Sequence, residues 1–103
     1  MTIFEVLQTT GLPCVYSHFR KKSEQQIVPP YLTYIGEGQD MDPADNTYRW
    51  RQNRYQVEYY FTEKSQANET AIEDALLKYG YNYTKSEDAF IEEEDVFVIY
   101  YMI

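Results

Sequence analysis

The run Val96 to Ile103 reads VFVIYYMI and carries no charged residue. It is too short for a typical buried helix and is rich in β-branched and aromatic residues, so it reads as a strand. Val96, Val98, Tyr100 and Met102 then share one face, and Phe97, Ile99, Tyr101 and Ile103 the other. A strand apolar on both faces belongs inside a sheet, with both faces covered or one face given to a partner. The rest of the chain has to supply that sheet.

A second strand signal spans Tyr48 to Thr62, where Tyr55, Val57, Tyr59 and Phe61 alternate with Gln56, Glu58 and Tyr60. Its first half, Tyr48 to Arg54, is more polar and is expected to project beyond the sheet. Cys14 to Phe19 reads as a strand with Cys14, Tyr16 and His18 on one face. Arg20 to Gln26 is a polar loop, closed by Pro29-Pro30, and Tyr31 to Ile35 is the next short strand. Tyr81 to Ile91 holds one more strand, beginning late, and Glu92 to Asp95 turns the chain into the closing strand. Gly36 to Thr47, with two glycines, a proline and four acidic residues, reads as a long polar loop or arm.

Two segments carry helical spacing. Ile3, Phe4 and Leu7 share a face with Val6 beside them, Thr2 and Glu5 stand at capping-box spacing, and Gly11 and Pro13 stop the helix. From Gln66 to Tyr79, the residues Ala67, Ala71, Ile72, Ala75, Leu76 and Tyr79 form an apolar stripe. Ser65 can cap that helix, Lys78 suits its last turn and Gly80 ends it. Helix, strands, helix, strands is the order of an α+β domain: one mostly antiparallel sheet packed by two helices. At 103 residues the chain has room for a single domain over residues 1–103.

Composition narrows the function. Seventeen acidic against nine basic residues leave a net charge of −8, which argues against direct nucleic-acid binding. The 44% hydrophobic content is enough to fold, so the acidity does not imply disorder. One Cys and one His exclude a disulfide framework and make a protein-only zinc site a poor expectation. No apolar run approaches the roughly 18 residues of a membrane span, and the start lacks the basic region of a secretory signal, so a cytoplasmic location is expected.

No catalytic, cofactor or metal residues are expected. Cys14 and His18, four residues apart on a strand, would lie about 13 Å apart, beyond hydrogen-bond reach. Asp40, Asp42 and Asp45 resemble the start of a calcium loop, but the required glycine and the closing Glu are missing. Glu92 to Asp95 reads as a solvated acidic turn, and Gly36-Glu37-Gly38 lacks the Lys and following helix of a phosphate loop. One cluster stands apart: Arg49, Arg51 and Arg54 around Trp50. Arginine forks pair with carboxylates and Trp anchors interfaces, so this is a candidate interface patch. Its natural opposite is the Asp40 to Asp45 loop, in a neighbouring copy or in the same chain.

Taken together, MTIFEVLQTTGLPCVYSHF, PPYLTYIGEGQD, ADNTYRWRQNRYQVEYYFTEK, EDALLKYGYNYTKSED and VFVIYYMI resemble small proteins encoded among the head–tail genes of long-tailed phages and prophages of Gram-positive bacteria. The resemblance covers nearly the whole chain and rests on overall pattern. It is to tail-terminator or tail-completion proteins, also called head–tail joining proteins. It implies an α+β fold, a hexameric ring, no catalysis and a place in the virion neck. The implied partners are further copies of the chain, the tail-tube protein and the head connector. The rival expectations are another neck component, a stopper or adaptor, and a small acidic inhibitor that mimics DNA. A small enzyme is a third class, which no motif supports.

Overall fold

Two neighbours claim the edges of the VFVIYYMI strand, and the sheet grows outward from them. The computed structural model describes residues 2–16, 28–41 and 51–103, with only the backbone described at 40, 41, 51 and 52. Among them the elements run α1 (Ile3–Gln8), β1 (Cys14–Tyr16), β2 (Tyr31–Met41), β3 (Arg51–Phe61), α2 (Gln66–Lys78), β4 (Thr84–Lys85), β5 (Ala89–Ile91) and β6 (Val96–Met102). The six strands form one sheet in the order β1-β2-β3-β6-β4, with β5 also paired to β6. β1 and β2 run parallel; every other pairing is antiparallel. This is the expected α+β fold. Its parts of 17–27 and 42–50, including the end of the expected first strand, the Arg20 to Gln26 loop and Tyr48 to Trp50, lie outside the described residues.

β6 is interior, with β3 along one edge and β4 and β5 sharing the other. Its register sets the faces. Tyr101, Ile99 and Phe97 sit opposite Val57, Tyr59 and Phe61 of β3, and Leu32 of β2 continues the same side through Tyr59. That side meets both helices: Ile3, Val6 and Leu7 of α1 and Ile72, Ala75 and Leu76 of α2 complete one core cluster with it. Tyr59 and Tyr101 are fully buried there, and each hydroxyl is engaged: Asn68 Nδ2 donates to Tyr59 (3.2 Å) and Tyr101 donates to Glu73 Oε2 (2.8 Å). Burying a tyrosine ring while satisfying its oxygen keeps the hydrophobic gain without an orphaned polar group.

The helix ends follow the sequence signals. Thr2 and Glu5 close a reciprocal capping box, with Thr2 N–H donating to Glu5 Oε1 at 2.8 Å and Glu5 N–H to Thr2 Oγ1 at 3.2 Å. Ser65 Oγ accepts from Asn68 N–H at 3.2 Å and caps α2. At the other end Gly80 takes φ +90°. Tyr81 N–H reaches Leu76 O (2.8 Å) and Gly80 N–H reaches Leu77 O (3.1 Å). These are the two bonds of a Schellman stop, which needs a residue free to adopt positive φ.

Two expectations are corrected. The Gly36 to Thr47 loop does not begin at Gly36: residues through Met41 continue β2, paired to β3 as far as Met41↔Arg51. The register slips by one residue between Gly36 and Gln39, a β-bulge in which Gly38 has φ +100°. That extra residue breaks the alternation by which a strand is read, and the segment is exposed enough to be polar on both sides. Tyr81 to Ile91, in turn, holds two short strands rather than one. β4 and β5 each pair with part of β6, and Ser86 N–H donates to Tyr100 O (2.9 Å) between them.

Candidate interaction surface

Both helices cover the same face of the sheet, and among the described residues no helix lies on the other. The open face is built from cross-strand rows. Tyr31, Tyr60, Val98 and Ala89 form one row; Thr33, Glu58 and Tyr100 a second; Ile35, Gln56, Met102 and Thr84 a third. Val98 and Thr33 are buried, whereas Ile35, Gln56, Glu58, Tyr60, Tyr100 and Met102 are each partly exposed. The apolar side chains that β6 places here are the reason its sequence reads apolar on both faces.

Glu58 is held rigidly at the centre of this face. Its Oε1 accepts from Thr33 Oγ1 (3.1 Å) and Tyr60 Oη (2.6 Å), and its Oε2 from Gln56 Nε2 (2.8 Å). Tyr60 stacks on Tyr31 at 4.9 Å between ring centroids. Burial, and then the bond to Glu58, push the Tyr60 phenol well above its ordinary value, so it stays a donor across the usable pH range. Such a surface offers flat rings and a fixed acceptor, the composition from which protein interfaces draw their anchors.

The second projecting feature is the β2–β3 ribbon. β6 pairs with β3 only over Gln56 to Phe61, and a reciprocal Tyr55–Ile103 backbone pair (3.0 and 3.3 Å) closes that edge. β1 pairs with β2 only over Leu32 to Tyr34. From Glu37 to Met41 and from Arg51 to Asn53, the bonds described for the two strands run between them. Gln39 Nε2 donates to Asn53 Oδ1 across the ribbon at 2.8 Å.

This ribbon contains part of the interface patch read from the sequence. Asp40 pairs with Gln52 and Met41 with Arg51 in register, which brings the Asp40 and Arg51 backbones to adjacent positions. Asp40 therefore stands on a strand, not in the expected loop. Arg54 Nε donates to the Ile103 carbonyl at 3.0 Å, tying the ribbon's base to the end of β6. Arg49, Trp50, Asp42 and Asp45 lie outside the described residues. So does His18, while Cys14 is half-buried on β1 with its thiol pushed up to about 12 by burial.

The sequence reading missed Glu69. It sits in the first turn of α2 as an acidic residue suited to the helix dipole, yet it is buried to 1% exposure. Lys64 Nζ lies 2.8 Å from its Oε2 and Lys85 Nζ donates to its Oε1 at 2.9 Å. Lys85 also pairs with Glu73 at 2.7 Å, and Lys64 with Asp88 at 3.0 Å. Burial raises the Glu69 carboxyl, but the two ammonium groups outweigh it and hold it below its ordinary value. Lys85 is pushed up, by Glu73 first, despite its own burial. The cluster joins α2, the β3–α2 connection, β4 and the segment before β5 through charge. A carboxylate pinned by two cations and closed to solvent is a poor proton acceptor for any substrate, and its role is to clamp. The one sequence signal was spacing: Glu69, Ile72 and Leu76 fall on one helical stripe.

Among the described residues no group of three or more His, Cys, Asp or Glu side chains is placed to hold a metal ion. Comparison with protein-family models and with curated proteins finds no match.

Proposed function

We propose that this chain is a non-enzymatic virion protein of a long-tailed phage. It sits at the head–tail junction, completes or terminates the tail tube and joins it to the head connector as a hexameric ring. The observation that carries the reading is the sheet face left open by both helices, with a two-stranded ribbon running past the sheet. Together they give one subunit two separate surfaces, which a closed ring of identical subunits requires for heterologous contacts. The resemblance of nearly the whole sequence to tail-completion proteins supplies the biological setting. The net charge of −8 agrees with a ring around a DNA passage, since an acidic lining gives phosphates nothing to bind.

The partners on this reading are other copies of the chain, the tail-tube protein and the neck proteins. The protein assembles in the host cytoplasm and ends in the virion. The test is deletion of the gene in its phage or prophage, followed by negative-stain electron microscopy of the lysate. Overlong tails beside DNA-filled heads establish termination. Normal tails detached from full heads establish joining without termination. Intact infectious particles overturn the reading and move attention to an inhibitor directed at a host protein.

A further inference from the structure

We draw no further inference here: the strongest candidate, the helix-free face of the sheet around Glu58, Tyr60 and Tyr100, presents partly exposed rings and a fixed carboxylate, but nothing in the structure shows what covers it.

Discussion

At the scale of single residues, the molecule separates charges it uses for stability from surface it leaves open. Glu69 is the clearest case of the first. Removing one partner of a buried ion pair is costly because the remaining charge loses its compensation. Its lysine partners are 48% and 34% exposed and can recover hydration, which moderates the loss. Glu69→Gln should therefore lower unfolding free energy by roughly 1–3 kcal/mol at pH 7, read by urea denaturation. The pH dependence has a definite sign. The folded carboxyl titrates below its ordinary 4.5, so its contribution is complete above that value and disappears as pH falls through the folded one. The wild-type and Glu69→Gln stability curves should converge on acidification; curves that stay parallel from pH 7 to pH 3 would remove the clamp. Cys14 makes an independent prediction. With its thiol near 12, the thiolate fraction at pH 8 is on the order of one in ten thousand. Its reaction with a disulfide reagent should be far slower in the native protein than after denaturation. For Glu69 the only sequence signal was its place on the stripe with Ile72 and Leu76. An acid near a helix start looks like dipole chemistry on the surface, and only the placement of two lysines from other elements makes its burial tolerable.

At the scale of elements, legibility tracked regularity. β6 and the Tyr55–Phe61 part of β3 were plain because strict alternation or continuous apolarity needs no tertiary context. Both helices were plain because their caps are local: Thr2 with Glu5, Ser65, and Gly80 all act within a few residues of themselves. The extension of β2 was hidden because its bulge breaks the two-residue period and Gly36 to Gln39 are exposed, with no apolar side chain to mark a face. Short β4 and β5 were hidden as one strand because their separation depends on the edge of β6 that they share. Gly38 tests the bulge. A methyl group there would meet no atom of the described residues within 4 Å, so the cost of Gly38→Ala comes from φ +100°. The expected loss is about 1 kcal/mol, with the hydrogen-exchange protection of the ribbon falling more than that of β6. Ile72→Ala, in the packed face of α2, should cost about 2–5 kcal/mol and loosen the whole core, read as a fall in the thermal midpoint. Equal effects of the two changes on β6 exchange would show that ribbon and core are one cooperative unit.

At the scale of the whole molecule, fold class was readable, and the candidate interaction surface is a proposal built on it. The arginine patch was visible from its density, and the placement of Arg51 and Arg54 on a ribbon follows from a register that no local pattern encodes. The open face was foreshadowed by the two apolar sides of VFVIYYMI; that both helices would choose the same side was not. On the proposed reading, the double variant Arg51→Glu, Arg54→Glu should retain its circular dichroism spectrum, lose roughly 1 kcal/mol through the Arg54–Ile103 bond, and fail to complete tails. Full complementation by that variant would remove the patch from the interface. One further consequence lies in where β6 falls in the order of synthesis. It is the last described strand to emerge, yet it sits between β3 and the β4–β5 edge. Until it emerges, β3 has a bare flank, β4 and β5 have no sheet to join, and α2 lacks Ile99 and Tyr101 in its core cluster. The nascent chain therefore gains little by folding early. The β1–β2–β3 part can pair earlier, but the sheet is completed by a long-range step, the kind that is slow and leaves strand edges exposed in the meantime. A newly made chain that has exposed β3 but not yet β6 is at its most adhesive, because that flank can pair with another chain.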